Sequence, residues 1–168
     1  MKDLMYYAKE CMRELDEIGI KYGNIIDVIP NTRAKKRWGQ CRKISGGYHI
    51  NINVCLLDDQ SSIKGLKTTI LHELLHSCPG CMNHGEAWKE LADKVNERYG
   101  YKIKRTTSAD EKGVPEEVRS IIHADKEPKY KIVCTKCGQV IERTRMSKLI
   151  KHPEDFRCAL CKGKLRRV

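Results

Sequence analysis

The sequence predicts an α+β fold in which a small antiparallel sheet packs with helices, followed by a small C-terminal zinc ribbon. Three observations predict this class: apolar residues at helical spacing in three segments, short extended segments between the first two of them, and two closely spaced cysteine pairs near the C-terminus. A chain of 168 residues has room for one compact domain and a small appendage.

The elements of the main domain follow in order along the chain. Residues 3–18 carry apolar side chains at helical spacing and stop at Gly19, which predicts the first helix. Residues 25–29, 38–44 and 48–54 show extended patterns bounded by turn residues. We expect these three segments to form the antiparallel sheet, with a hairpin between the last two.

Two further helices are predicted after the sheet. Ser61-Ser62 offers an N-cap for the first of them, and the second is expected over residues 85–99. Beyond that point the periodicity is lost, and Thr, Ser, Gly and Pro accumulate. We therefore expect a main domain over residues 1–106, a linker over 107–128 and a basic ribbon over 129–168.

The helix that follows Ser62 contains an HExxH motif, His72-Glu73-Leu74-Leu75-His76. Residues four apart lie on one helix face, so His72 and His76 can present their imidazoles to a single metal ion. A zinc ion bound there activates a water, and Glu73 is suited to be the general base that passes the proton of this water to the leaving amine. The motif predicts zinc-dependent peptide hydrolysis, because a chance arrangement on a solvated helix face does not fit so apolar a helix.

A catalytic zinc ion needs three protein ligands and one open position. His84 is the favoured third ligand, because the short turn after the motif can bring the chain back beneath the ion and the next helix begins directly after His84. Four other side chains remain alternatives at this stage. They are Glu86, Glu90, Cys78 and Cys81.

The second predicted metal site lies near the C-terminus. Cys134 and Cys137 form one CxxC pair, Cys158 and Cys161 form another, and the two pairs are about twenty residues apart, which is typical of a zinc ribbon. Four thiolates leave no position for water, so this zinc ion is expected to be structural. The sequence thus predicts two zinc ions, one catalytic and one structural.

The positive charge of the chain is concentrated in the predicted ribbon. Residues 129–168 contain 12 Lys and Arg residues against 3 Asp and Glu residues, and the whole chain has a net charge of +11. A second basic cluster lies near the first strands, and both suggest a polyanionic partner, with a merely solvated face as the alternative. The candidate nucleic-acid contacts are Arg33, Lys35, Lys36, Arg37, Arg143, Arg145, Lys148, Arg166 and Arg167.

Composition also bears on the compartment. The sequence shows neither an apolar run long enough to span a bilayer nor a secretion signal, and its nine cysteines occur mostly in metal-type pairs. We expect a monomeric protein of the cytoplasm that has no membrane partner and that associates with the nucleoid if it binds DNA.

Several segments together resemble the SprT-like zinc metallopeptidases, a family that includes proteases of DNA–protein crosslinks. The matching segments are Arg37-Trp38-Gly39-Gln40-Cys41, Tyr48-His49-Ile50-Asn51-Ile52-Asn53, the HExxH motif, His84-Gly85 with Trp88, and the basic ribbon. The resemblance implies a zincin-like minimal metalloprotease domain over residues 1–106. It also implies that His72, His76 and His84 bind the catalytic zinc and that Glu73 is the general base.

The expected function is that of a zinc endopeptidase acting on proteins bound or crosslinked to DNA, including single-stranded DNA. One alternative is a nucleic-acid-binding regulatory protein with a zinc-binding but weakly active protease-like domain. Another is a general peptidase whose ribbon serves only folding.

Overall fold

The computed structural model describes residues 1–122 and 128–168, and the chain divides into two compact units, Met1–Ala124 and Asp125–Val168. Each unit is described by itself. In the described residues, no helix combines the length and the apolar character that a bilayer-spanning segment needs.

The first unit contains four helices and one three-stranded sheet. The helices are α1 (Leu4–Glu17), α2 (Ile63–His76), α3 (Glu86–Tyr99) and α4 (Glu116–Ile122), and the strands are β1 (Ile25–Asn31), β2 (Gly39–Ile44) and β3 (Gly47–Asn53). A short 3-10 helix over Val54–Leu57 joins β3 to the segment that leads into α2. The three long helices agree with the predicted ones to within one or two residues, apart from the end of the HExxH helix, which the structure places at His76.

The sheet is mixed and not antiparallel as predicted. β2 and β3 form the expected antiparallel hairpin, but β1 pairs with β3 in parallel, so the strand order is β1-β3-β2. The loop over residues 32–38 carries the chain from β1 past the position of β3 to β2. The hairpin then folds back so that β3 occupies the place between them. Local sequence patterns predict which segments are strands. Which strand pairs with β1 depends instead on the placement of β3 between β1 and β2, and no local pattern reveals that placement.

Helix α2 is the centre of the first unit. It packs against α1, α3, β2 and β3, and ten of its fourteen residues are buried. Ser62 caps the helix, because its Oγ accepts a hydrogen bond from the N–H of Gly65 at 3.3 Å. The buried apolar residues of α2 are Leu66, Ile70, Leu71, Leu74 and Leu75. The HExxH motif therefore lies on a helix that is surrounded by protein.

Residues 107–122, the larger part of the predicted linker, pack on the first unit, while residues 123–127 of that linker lie outside the described residues. Val114 and Val118 are buried in the main core. The turn before them approaches α2 closely: a Cβ on Gly65 would lie 1.9 Å from the carbonyl oxygen of Lys112. A tight turn and two buried valines hold this segment on the unit. Such contacts leave no regular spacing of apolar residues, so the sequence does not predict that the segment is packed.

The second unit is a small sheet with one helical turn. Its strands are β4 (Tyr130–Cys134), β5 (Val140–Arg143) and β6 (Leu165–Arg167), in the antiparallel order β5-β4-β6, and its helix is α5 (Lys148–Lys151). A 3-10 turn spans Pro153–Asp155. The apolar core is small and consists mainly of Ile132, Ile150 and Leu165 with the cysteines. A unit with so few apolar residues needs an additional source of stability, which a metal ion can supply.

Replacing Gly65 by Ala should destabilise the first unit, even though alanine favours helix more than glycine by about 1 kcal/mol. The added methyl group has to push the Lys112 turn away from α2, so we expect the free energy of unfolding to fall by about 1–3 kcal/mol. Urea unfolding followed by tryptophan fluorescence measures this, because both tryptophans, Trp38 and Trp88, belong to the first unit.

The matched control is Asp93→Ala at an exposed position of α3, which gains helix propensity without a steric clash. A Gly65→Ala protein at least as stable as the Asp93→Ala protein would contradict the close approach of the turn to the helix.

Candidate metal centres and their cavity

Three imidazoles converge at the C-terminal end of α2. His72 and His76 lie one turn apart on the helix, and the chain then turns back so that His84 stands just before α3. The Nε2 atoms are 3.3 Å apart for His72 and His76, 3.2 Å for His76 and His84, and 3.0 Å for His72 and His84. All three rings therefore direct the same type of nitrogen to one point.

The spacing of these nitrogens fits a zinc ion. Zinc binds imidazole nitrogen at about 2.0–2.1 Å, and two ligands at tetrahedral angles are then about 3.3 Å apart. The observed separations of 3.0–3.3 Å agree with that value. Three such ligands leave one tetrahedral position open, which is the arrangement of a catalytic zinc site.

Hydrogen bonds and packing hold the rings in the orientation that a metal ion requires. His76 Nδ1 donates to the carbonyl oxygen of Cys81 at 2.8 Å, which leaves Nε2 free of hydrogen and able to bind metal. His72 makes a hydrogen bond to the backbone of Lys104. The indole of Trp88 lies beside all three imidazoles, with ring centroids 4.6–5.6 Å away.

The rings are also in the protonation state that metal binding needs. Burial, together with the two neighbouring imidazoles, lowers the pKa of His72 to about 3, and burial lowers the pKa of His76 and of His84 as well. Neutral imidazole is the form that binds a metal ion.

The other four candidates for the third ligand lie outside this cluster. Within the described residues, the group of ligand atoms close enough to share an ion here consists of His72, His76 and His84 alone. The thiols of Cys78 and Cys81 lie instead against backbone carbonyls of Leu74 and Pro79, at 3.9 and 3.5 Å. The CxxC turn thus contributes a carbonyl to the site and not a thiolate.

Glu73 is a buried carboxyl group beside the cluster, with only 6% of its surface exposed. Burial raises the pKa of Glu73 to about 7, against the opposing effects of a hydrogen bond from the Cys41 backbone and of the charges on Lys112 and Arg37. A carboxyl group with a pKa near neutrality can both accept and release a proton.

Gly39 on β2 leaves the space that the Glu73 carboxyl group occupies. A Cβ at position 39 would lie 2.4 Å from Oε1 of Glu73. The residue after Trp38 therefore has to be glycine if the carboxyl group is to keep its place, which is a physical reason for the Trp38-Gly39 segment. The sequence pattern draws attention to this segment without revealing its contact.

The cluster opens into a cavity of about 490 Å³. The start of β2, the face of α2 that carries His72, Glu73 and His76, and the segment around residues 105–112 line it. Lys112 is part of the lining and is buried, although sequence analysis places it in a linker and assigns it no role. No periodic pattern around this residue signals its burial, because the close approach of its turn to Gly65 brings it there.

The four cysteines of the second unit form the other candidate metal centre. The Sγ atoms of Cys134 and Cys161 are 3.4 Å apart, and those of Cys137 and Cys158 are 3.7 Å apart. Zinc–sulfur bonds of about 2.3 Å at tetrahedral angles require roughly 3.8 Å between the sulfurs, so the four thiols fit a zinc ion closely. Backbone N–H groups of the two CxxC turns, those of Cys137 and Cys161 first, lower the pKa of Cys134 and Cys158, which favours thiolate ligands.

All nine basic residues that the sequence suggests as nucleic-acid contacts are exposed. In the first unit, Arg33 and Arg37 line a second cavity of about 520 Å³ together with Arg42, and Arg37 also lines the cavity of the histidine cluster. In the second unit, Arg143 is paired with Tyr130 across the sheet, and the guanidinium of Arg167 lies 5.3 Å from the centroid of the Tyr130 ring.

Comparison with known proteins gives one family. A model of the SprT-like family matches residues 8–109, more than half of the chain. This range includes the sheet, both long helices that frame the histidine cluster, and all three histidines. Among curated proteins, none matches this chain.

Two zinc ions per chain are expected in the purified protein, and His84→Ala should remove one of them. With only two imidazoles left, the first site loses a ligand, while the four thiolates are unaffected. Metal content measured by mass spectrometry on wild type and variant tests this.

The controls are Glu86→Gln and Glu90→Gln, which change the two carboxylates nearest to His84 in the sequence. Both should leave two zinc ions bound. Loss of zinc in either control, with retention in His84→Ala, would show that a carboxylate is the third ligand.

Proposed function

Because the chain belongs to the SprT-like family, we propose that its first unit is a zinc-dependent endopeptidase that acts on proteins bound or crosslinked to DNA. The observation that carries this proposal is the convergence of three imidazole Nε2 atoms beside a buried carboxyl group on one wall of an open cavity. A purely structural zinc site has four protein ligands and needs neither a base nor a cavity.

His72, His76 and His84 would hold the metal ion. When bound, zinc supplies Lewis acidity, which polarises a peptide carbonyl and activates a water. The remaining chemistry falls to Glu73. Its carboxylate takes one proton from the attacking water as the new C–O bond forms, and returns it to the amide nitrogen as the C–N bond breaks, so that a carboxylic acid and an amine result.

The environment of Glu73 suits both halves of this proton transfer. Burial favours the protonated form, whereas the Cys41 backbone N–H and the charges of Lys112 and Arg37 favour the carboxylate. The surroundings of Glu73 therefore favour both of the protonation states that a residue needs when it serves first as base and then as acid.

The basic surfaces support a nucleic-acid partner. Arg37 is common to the catalytic cavity and to the adjoining cavity that Arg33 and Arg42 line, so a phosphate chain in the second cavity would reach the edge of the first. In the ribbon, Tyr130 between Arg143 and Arg167 offers a ring and two cations, which suits stacking with an unpaired base. Binding DNA and cleaving a DNA-bound protein would then act on one substrate complex, which raises the local substrate concentration.

Glu73→Gln should abolish proteolysis while leaving both zinc ions in place. The amide cannot accept the proton, so we expect a loss of roughly 10²–10⁴-fold. Cleavage of a purified DNA-binding protein is measured with and without single-stranded DNA, alongside the variant and a chelator-treated wild type.

The proposed substrate class requires cleavage that DNA stimulates and that both Glu73→Gln and the chelator prevent. Cleavage indifferent to DNA would instead indicate a general peptidase. Absence of any cleavage beyond that of Glu73→Gln would favour a nucleic-acid-binding regulatory protein.

Gly39→Ala should reduce proteolysis nearly as strongly as loss of the base, because the new methyl group displaces the Glu73 carboxyl group. Zinc content should stay at two ions, since no ligand is touched. Gly46→Ala in the turn between β2 and β3 serves as the control for backbone strain, because its φ of +86° disfavours alanine while the added Cβ contacts nothing within 4 Å and leaves Glu73 in place. Full activity of Gly39→Ala would refute the positioning role.

Single-stranded DNA should bind more weakly to Arg33→Ala/Lys36→Ala and to Arg143→Ala/Arg166→Ala than to wild type. Each lost phosphate contact should lower the slope of log affinity against log salt by about 0.7. Fluorescence anisotropy at several salt concentrations measures both quantities. The control Lys9→Ala/Lys89→Ala removes the same charge from exposed positions of α1 and α3. If it weakens DNA binding equally, the loss reflects net charge and not specific phosphate contacts.

A further inference from the structure

Lys112 is a buried cation with only 5% of its surface exposed, and it lines both the cavity of the histidine cluster and a neighbouring cavity of about 420 Å³. The turn that carries it is fixed at both ends: the N–H of Lys112 donates to the carbonyl of Ala109 at 3.1 Å, and the carbonyl of Gly113 accepts from the N–H of Ser62 at 2.8 Å. Gly65 permits the close approach that brings the backbone of Lys112 against α2. The fold therefore fixes the backbone from which this side chain extends.

The ammonium group has donors to spare. Its Nζ donates to Oγ1 of Thr68 at 3.2 Å, which is the one hydrogen-bond acceptor that the described residues provide. An ammonium group has three N–H donors, so two remain for acceptors that the described residues do not supply. Thr68 lies one helical turn before His72, and the charge of Lys112 acts on both His72 and Glu73, so the ammonium group is close to the motif.

The surrounding charges do not neutralise Lys112 locally. The carboxylates that act on it are Glu73 on α2 and Glu111 in its own turn, and Glu111 is itself paired with Lys104 and bonded to the backbone of Ser108. Burial lowers the pKa of Lys112 to about 8, so the group remains largely charged at neutral pH. Burying a charge without a dedicated partner is unfavourable for folding, and such groups are concentrated at functional sites.

We propose that Lys112 is a catalytic residue whose ammonium group binds the oxyanion that develops on the scissile carbonyl; this rests on the proposed protease function. The carbonyl oxygen of a bound peptide gains negative charge as water adds to the carbon, and a cation already in place stabilises that charge without rearrangement. Arg37 and Arg105 also line the cavity but are exposed, so water screens their charges. Thr69 is another polar residue of the lining, and its hydroxyl donates to the carbonyl of Gly65 at 2.8 Å.

The test compares Lys112→Met with Lys102→Met in the full-length, zinc-loaded protein. Lys102 is an exposed lysine that lines the neighbouring cavity, which Lys112 also lines, but not the cavity of the histidine cluster, so its variant makes the same change in charge outside that cluster's cavity. For Lys112→Met we expect kcat to fall roughly 10²–10³-fold with little change in KM, because the lost interaction forms only in the transition state. Lys102→Met should match wild type.

A binding experiment separates direct contact from an effect through Glu73. A phosphinic peptide carries a tetrahedral, negatively charged centre that imitates the adding water and the oxyanion. Its affinity, measured by calorimetry, should fall in Lys112→Met by a similar factor in the wild-type and Glu73→Gln backgrounds. An effect that disappears in the Glu73→Gln background would make Lys112 a positioning residue for the carboxylate and would overturn the proposal.

Folding and metal content are measured for every variant, and Lys112→Gln serves as a second substitution. Folded, two-zinc variants whose kcat and phosphinic-peptide affinity equal those of Lys102→Met would overturn the catalytic role while leaving the protease function intact. Loss of zinc or of the fold in both Lys112 variants would assign the residue to stability and would likewise overturn it. If the wild type cleaves no substrate, the proposed protease function is wrong. The affinity for the phosphinic peptide then still shows whether Lys112 binds a negatively charged group.

Discussion

Burial of helix α2 on nearly all sides is the constraint on which the rest of the first unit depends. A helix in such a position must find an internal partner for each polar group, since water cannot serve. The structure meets this demand with groups from three neighbouring segments: the Cys81 carbonyl accepts a hydrogen bond from His76, the Cys41 backbone forms one with Glu73, and Lys112 donates one to the Thr68 hydroxyl. The surroundings of α2 therefore fix the orientation of its functional side chains.

The same burial sets the electrostatic character of the cavity. Burial lowers the pKa of His72 to about 3, raises the pKa of Glu73 to about 7 and lowers the pKa of Lys112 to about 8. In a medium of low polarity these groups interact more strongly than they would at the surface. The second unit differs, because its apolar core is small and four thiols cluster where a bound metal ion would add stability.

The sequence predicts what depends on spacing along the chain, and it fails where segments distant in sequence meet. His72 and His76 are one helical turn apart, and each CxxC pair is complete within four residues, so these groups could be assigned to shared sites in advance. The parallel pairing of β1 with β3, the contact of Gly39 with Glu73 and the position of Lys112 all involve partners 20 or more residues away. No local period encodes such contacts, so they could not be predicted.

The close packing of the Lys112 turn against Gly65 has a consequence for where this domain ends. The family match stops at residue 109, yet Lys112, Val114 and Val118 are buried against the same core. A fragment cut at the family boundary would retain every histidine of the cluster but would leave the apolar side of the 3-10 helix and the start of α2 open to water. The region that the family model matches therefore ends before the region that packs as one unit, and that unit includes α4.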